Sequence, residues 1–213
     1  DMIQLLPQIL EHLNTTIKGC IHIGAHWGQE YPVYKNLGIN NMIFYEPLEA
    51  NYRGLLENVG KEVDVRQTAL GNMEGKVDMF VEQANQGMSS SVLEPQHHLK
   101  QYPHIIFPIK ETVPITKLDS EDFDREAFNF INIDVQGYEL EVFKGATKTL
   151  ESVDLIFSEI NKKEMYKDCA RVDTLDSYLK DFGFSRVITH WEGIDEATGE
   201  QTWGNGVYFK TKS

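Results

Sequence analysis

The sequence predicts an α/β fold, a mostly parallel sheet covered by helices on both faces. Three observations carry that reading. Residues 19–46 run from a short apolar strand (Gly19 to Ile23) through a glycine turn (Gly24-Ala25-His26-Trp27-Gly28) and a helical pattern into a second strand, Met42 to Tyr45, which stops at Glu46. That is the pattern of the first βαβ unit in a nucleotide-binding sheet. Two later apolar runs, 128–133 and 154–158, also stop at acids, Asp134 and Glu159. Helical patterns lie between the runs, as crossovers between parallel strands require.

Taken in order, Ile3, Leu6, Ile9, Leu10 and Leu13 recur at helical spacing. Residues 1–18 are therefore expected to hold a leading helix, kinked by Pro7. The first strand covers about 19–24. The helix after the glycine turn covers about 29–37 and stops at Gly38, a residue type that tolerates the positive φ of a helix end. A strand at 42–46, a helix from about 48 to 58 ending near Gly60, and a strand near 63–67 follow. Residues 75–82 (GKVDMFVE) alternate in polarity and read as a strand. Residues 83–108 are polar, with three consecutive serines, three His and three Pro, and read as a long substrate-side loop with one helical turn. A strand at 109–116 and an acidic connection at 117–126 lead to the strand ending at Asp134. The helix after it presents Tyr138, Val142, Phe143 and Ala146. After the strand ending at Glu159, a helix over about 172–182 ends at Gly183. Strands 184–190 and 203–209, joined by the polar loop 192–202, read as an antiparallel hairpin at a sheet edge.

The chain has 213 residues, of which 41% are hydrophobic. That suits one domain spanning 1–213. No apolar run reaches the ~18 residues of a membrane span, and no basic start precedes an apolar core as in a signal peptide. The first residue is Asp1 and not Met, the mark of a processed chain or of a piece cut from a longer protein. Net charge is -13, from 33 acids against 20 bases. Such a surface repels phosphate backbones, so nucleic acid is not the expected partner. Cys20 and Cys169 lack zinc spacing and point to a reducing, cytoplasmic compartment.

Ligands of open α/β sheets bind beyond the carboxyl ends of the strands, where Glu46, Asp134 and Glu159 are expected. Gly24 to Glu46 is 22 residues, close to the separation of about 20 between a glycine turn and the acid that accepts ribose hydroxyls. The turn lacks a third glycine, and His26 fills the place of a middle one, which favours a nucleoside ligand smaller than NAD. Asp134 reads as a helix N-cap or as a carboxylate at the centre of the sheet edge, with Gln136-Gly137 leaving the backbone open beside it. Glu159 reads as a solvated strand end or a second site carboxylate. Glu139 is nearer the site than Glu141. Ser89, Ser90 and Ser91 lack a nucleophile elbow, so they read as loop residues or as hydrogen-bonding partners of cofactor or substrate. For His97, His98 and His104 a solvated loop is preferred to a metal site, because no carboxylate falls at ligand spacing. Trp191 and Trp203 read as core residues or as stacking platforms for a sugar face.

Together these residues resemble the FkbM family of S-adenosylmethionine-dependent methyltransferases over roughly 19–209. The likeness rests on IHIGAHWGQE, FYEPLEANYRGLLEN, ALGNMEGKVDMFVE, GMSSSVLEP, VPITKLD, INIDVQGYELEVFKGA, LIFSEI and NGVYFK, in that order. It implies a class I (Rossmann-like) methyltransferase fold, with a seven-stranded sheet whose last strand is antiparallel. It also implies O-methylation of a sugar or natural-product hydroxyl. Carried over, Gly24, Ala25, His26 and Gly28 wrap the methionine part of the cofactor, with Gln29 beside them. Glu46 holds the ribose hydroxyls, and Pro47, Leu48, Ala69 and Leu70 line the adenine pocket. Asp134 sits near the sulfonium and the acceptor hydroxyl. The sequence departs from the family at His22 (usually an acid), His26 (usually Asn) and Gln136 (usually Glu).

The expected mechanism places an acceptor oxygen in line with an activated methyl and removes its proton. Asp134 is the expected base, with Glu159 as substitute. Ser90, Ser91, Gln136, Tyr138, Glu139 and Trp191 are expected to face the substrate, a glycan or small-molecule hydroxyl. No protein metal site is expected. Two rival readings are a non-catalytic binding module on the same sheet and an NAD-type oxidoreductase. The latter would need Tyr and Lys four apart on one helix, and Tyr138 and Lys144 are six apart.

Overall fold

Strands buried on both faces read as near-continuous apolar runs, and such runs form the middle of the sheet. The computed structural model describes residues 2–84 and 86–211; Asp1, Asn85 within the long loop, and residues 212–213 lie outside the described residues. The strands are β1 (Gly19–Ile23), β2 (Asn41–Tyr45), β3 (Asp64–Arg66), β4 (Ala69–Leu70), β5 (Gly75–Val81), β6 (Ile109–Thr116), β7 (Phe130–Ile133), β8 (Leu155–Asn161), β9 (Phe184–Trp191) and β10 (Trp203–Lys210). The helices are α1 (Leu6–His12), α2 (Tyr31–Asn36), α3 (Glu49–Val59), α4 (His97–Gln101), α5 (Glu139–Lys144), α6 (Thr147–Ser152) and α7 (Val172–Lys180).

Seven strands form the main sheet in the order β3-β2-β1-β7-β8-β10-β9. All the pairs from β3 to β8 are parallel, and β10 runs antiparallel to both β8 and β9. The expected class I architecture is therefore present, and the final strand is the antiparallel one. The hairpin is not wholly at the edge: β10 inserts between β8 and β9, leaving β9 outermost.

Alternation along the strands splits the core. Ile21, Ile23, Ile131, Ile133, Ile156 and Ile160 face α5, α6 and α7. Cys20, Phe44, Phe130, Leu155 and Phe157 face α1, α2 and α3. Each fully buried side chain of this size stabilises the fold by ~1.5–3 kcal/mol. No helix among the described residues is long and apolar enough to cross a membrane.

A second sheet, in the order β4-β6-β5, packs Ala69, Met79, Val113 and Ile115 around Leu48. The alternation of residues 75–82 is the signature of this sheet, whose strand β5 is largely exposed. β4 has two residues, too short to leave a pattern.

Three local expectations change. Pro7 opens α1 and does not kink it, since it occupies the first turn, where its missing N–H costs nothing. The helix expected after Asp134 is two helices. Gly145 between them packs so closely that a Cβ there would lie 2.0 Å from the carbonyl oxygen of Gly71. The acidic connection also has a structural task. Asp119 accepts hydrogen bonds from the backbone amides of Lys148 (2.9 Å) and Thr149 (3.0 Å) and from the Thr149 hydroxyl (2.9 Å). It caps α6 from outside the helix. Asp119→Ala is expected to destabilise the protein by ~1–2 kcal/mol in urea unfolding, whereas an ordinary surface change would leave the midpoint unmoved.

Candidate active site

The chain moves outward from β1 through β2 to β3 and returns to start the other half of the sheet at β7. Beyond the carboxyl ends of β1 and β7 lies the switch point, where open α/β sheets bind ligands. The register aligns Ile23 with both Tyr45 and Ile133, and Ile133 with Ser158. One residue further on, Glu46, Gly24, Asp134 and Glu159 stand side by side. They share the face of the sheet that carries α1, α2 and α3.

The turn after β1 is fixed by its backbone. The amides of Gly24 and Ala25 both donate to the Tyr45 carbonyl, at 3.0 and 2.9 Å. Gly24 has φ +76°, and a Cβ there would lie 2.0 Å from the Asp134 carbonyl oxygen. Its glycine is needed for the close passage of β7. Gly28 similarly makes room for Leu55 and Val59 of α3, and it lines neither cavity of the site. His26 adopts φ +50°, a conformation a non-glycine residue takes only when its surroundings hold it there. Its amide donates to Glu46 at 2.9 Å, and its ring bonds the Gln86 carbonyl (2.7 Å) and the Gln29 amide (2.9 Å).

Two cavities meet at this edge. The smaller, about 60 Å³, is lined by Glu46, Pro47, Leu48, Asn51, Ala69, Leu70, Met79, Val92 and Tyr138. The larger, about 550 Å³, is lined by Ala25, Gln29, Glu30, Asn132, Glu159, Asn161, Tyr166 and Trp203, among others. Gly24, His26, Met88, Asp134 and Gln136 border both.

Glu46 is buried in the smaller cavity. Its two oxygens accept the backbone amides of His26 (2.9 Å) and Leu48 (3.0 Å). Burial pushes its carboxyl up to about 7, against the downward pull of those amides. Asp134, Glu139 and Glu159 bring three carboxylate oxygens within 4.8 Å of one another. Burial is the main cause that raises all three, Glu139 to about 7 and Glu159 well above the ordinary range. Asp134 is the exposed member, but the surface it shows faces the cavity, where protein surrounds it. Asp134 and Glu159 hydrogen-bond each other, so the pair titrates as a unit. We place the shared proton on Glu159, the more deeply buried acid.

Gln136 ties this cluster together from a left-handed backbone (φ +53°). Its Nε2 donates to Asp134 (2.6 Å) and Glu159 (3.0 Å), and its Oε1 accepts from the Tyr166 hydroxyl at 2.9 Å. An amide here gives both acids a donor, which a glutamate could not.

Several expected site residues take other places. Asp134 is not the N-cap of α5; Tyr138 holds that position, and Glu139 serves the turn by accepting the amides of Val135 (3.0 Å) and Gly137 (3.4 Å). Glu139 lines neither cavity. Glu159 is no solvated strand end, since β8 continues to Asn161 and every residue of it is buried. The Ser91 hydroxyl donates to the Gln136 carbonyl (2.7 Å) and accepts from the Leu93 amide (3.0 Å), so it holds the loop and faces no cavity. Ser90 and Tyr138 line the smaller cavity, and Ser89 the larger. Trp191 lies outside both, with the Lys162 ammonium 4.6 Å over its ring; Trp203 is the tryptophan in the larger cavity. His98 is not solvated. It packs against Tyr102, Phe107 and Tyr166, and burial pushes it down to about 4.

Glu30, Asn161 and Tyr166 were not anticipated as site residues, and of the two tryptophans offered as stacking platforms only Trp203 lines a cavity. Asn161 had a signal: it lies two residues after Glu159 on a strand, hence on the same face. Tyr166 and Trp203 reach the cavity through tertiary packing alone.

A model of the methyltransferase FkbM domain matches residues 22–186. The 2-O-methyltransferase NoeI of Sinorhizobium fredii is 25% identical over 170 residues, 75% of this chain and 70% of that protein. Magnesium protoporphyrin IX methyltransferase from Synechocystis, solved with bound S-adenosylmethionine, superposes with a TM-score of 0.52 at 9% identity, covering 99% of this chain and 78% of that one. A Burkholderia thailandensis N1-methyltransferase, solved with its substrate and S-adenosylhomocysteine, gives 0.50 at 11% identity, covering 97% and 76%.

The Glu46 carboxyl, at about 7 in the fold against 4.5 in the unfolded chain, binds its proton more tightly when folded. Its contribution to stability is therefore fully present below about pH 4.5 and is lost as pH rises to about 7, a change on the order of 3 kcal/mol. Glu139 titrates in the same window. Glu46→Gln is expected to flatten the unfolding free energy against pH by about one proton between pH 4.5 and 7; an unchanged slope would contradict the burial assigned to Glu46.

Proposed function

The chain belongs to the FkbM methyltransferase family, and from that premise we propose that it methylates a hydroxyl of a sugar, such as a deoxyhexose in a glycan, with S-adenosylmethionine as donor. The observation that carries this reading is the junction of two cavities at Gly24, His26, Met88, Asp134 and Gln136.

The residues present fit the donor. The smaller cavity pairs apolar walls (Leu48, Ala69, Leu70, Met79) with one buried carboxylate, Glu46. A flat base and a ribose diol call for that combination. At about 60 Å³ the slot is narrower than a nucleoside, so its outer wall, made by Met88, Ser90 and Val92 of the loop, must yield to admit one. The donor supplies an electrophilic methyl on a sulfonium. Asp134, whose pair leaves its proton on Glu159, and Glu46 in its ionised form give the cleft the negative charge that suits a cation.

The acceptor side supports a carbohydrate. Trp203 and Tyr102 offer aromatic faces, and Asn161, Asn205 and His98 offer polar groups, with no Lys or Arg among the described residues lining the cavity. Asn161 Oδ1 and His98 Nδ1 are buried without partners, which suits a ligand rich in hydroxyl donors. The name of the relative NoeI, a 2-O-methyltransferase, agrees with an oxygen acceptor. The same acidic lining argues against a phosphate-bearing acceptor, nucleic acid included. Free, buried Cys20 and Cys169 fit a reducing, cytoplasmic setting.

Asp134 acts as the base. It borders both cavities, and its carboxyl, raised by its enclosure, would accept the acceptor's hydroxyl proton as the oxygen–methyl bond forms and the sulfur–methyl bond breaks, with S-adenosylhomocysteine as the leaving group. Gln136 and Glu159 orient it. Loop residues 86–91 close the junction from outside, held by His26 to the Gln86 carbonyl and by Tyr166 to the Ser89 carbonyl (2.9 Å).

Asp134→Asn is expected to lower turnover by about a hundredfold or more while S-adenosylhomocysteine binding persists. Mass spectrometry of candidate oligosaccharides should record a 14 Da gain, the mass of one CH₂, with the wild type only. Near-normal turnover in Asp134→Asn would refute the base assignment.

A further inference from the structure

Glu30 follows the glycine turn directly and lines the larger cavity beside Gly24, Ala25 and Gln29. Its Oε2 is buried and has no hydrogen-bond partner. The nearest basic nitrogen is Nδ1 of His22, 4.0 Å away. This contact is not an ion pair. His22 is fully buried, its imidazole is pushed down to about 4, and the same nitrogen engages the Tyr34 hydroxyl at 3.1 Å. No Lys or Arg lines the cavity among the described residues.

The other carboxylates at this edge have donors. Glu46 takes two backbone amides, Asp134 and Glu159 share the Gln136 amide, and Glu192 accepts from Asn205 at 2.7 Å. Glu30 Oε2 stands apart as a buried acceptor with nothing to accept, on a side chain that is 26% exposed and forms part of the cavity wall. An unmet acceptor of this kind is costly unless a charged or N–H-bearing partner completes it.

We propose that Glu30 receives the α-ammonium group of the donor's methionine moiety and so fixes the amino-acid end of the cofactor. The inference rests on the reading of this cleft as an S-adenosylmethionine site. Two cationic groups of that donor enter the cleft, and they differ in chemistry. The sulfonium has no hydrogen to donate, whereas the ammonium has three. Glu30 Oε2 lacks a hydrogen-bond donor, so the ammonium is the group that completes it. Position agrees: Glu30 lines only the larger cavity and Glu46 only the smaller, and the two meet at Gly24 and Asp134. A donor held at its ribose by Glu46 and at its ammonium by Glu30 would straddle that junction.

Calorimetry on the intact protein tests this with two probes. S-adenosylhomocysteine carries the amino-acid end, and 5′-methylthioadenosine keeps the adenosine and thioether but lacks it. Glu30→Gln should weaken S-adenosylhomocysteine roughly tenfold or more and leave 5′-methylthioadenosine affinity unchanged. The second probe also reports whether the variant is folded. Equal losses for both ligands, or no loss for either, would overturn the assignment. A wild-type protein that binds neither would instead overturn the donor reading on which it rests.

Discussion

Where β1 and β7 part at the sheet edge, their backbones pass so closely that only a glycine fits at position 24. The Asp134 amide donates to the Ile23 carbonyl at 3.0 Å, and the Asp134 carbonyl occupies the space a side chain at Gly24 would need. This contact fixes the glycine turn and the Asp134 carboxylate as neighbours. The two cavities meet at this contact, and Gly24 and Asp134 border both. The Tyr45 carbonyl, bound by the amides of Gly24 and Ala25, extends the same constraint to β2 and so places Glu46. Three strands are thereby locked at one edge before any side chain in the cleft acts.

Electrostatics builds on that frame. Buried carboxylates at one edge repel each other and lose solvation, and for all but Glu30 the cost is offset locally. Backbone amides satisfy Glu46 and Glu139, and Gln136 satisfies Asp134 and Glu159. The result is a cleft of high acceptor capacity, with carboxyls raised toward neutral pH. A raised carboxyl is a better proton acceptor for a hydroxyl than an ordinary one. Gln136 is central, since its side chain links the acids to Tyr166 while its backbone carbonyl accepts from Ser91. The loop and the acid pair are therefore mechanically joined.

Much of the fold was legible because its signals are local. Continuous apolar runs at β1, β2, β7 and β8 mark strands covered on both faces, and glycines at 38, 60 and 183 mark helix ends. The acids closing β2 and β7 follow from the pattern of an open sheet, and Glu46 and Asp134 could be named from it. What was hidden depends on distant packing. Nothing near Ser91 indicates that its hydroxyl engages Gln136, 45 positions away. Nothing near His98 indicates that Tyr166 and Phe107 bury it. Gly28 reads from the sequence as a ligand contact, and the structure shows that it also makes room for Leu55 and Val59 of α3; close packing and close ligand approach select the same residue. Trp191 and Trp203 were indistinguishable by composition; their places on β9 and β10 decide which one meets the cavity.

The central claim is that a single donor spans the switch point from Glu46 to the edge of Asp134. A crystal structure of the complex with S-adenosylhomocysteine tests it most directly. The account predicts ribose hydroxyls on the Glu46 carboxylate, the base between Leu48 and Ala69, and the sulfur at the Gly24–Asp134 junction. Density for the nucleoside anywhere other than beside Glu46, or a sulfur remote from Asp134, would contradict it.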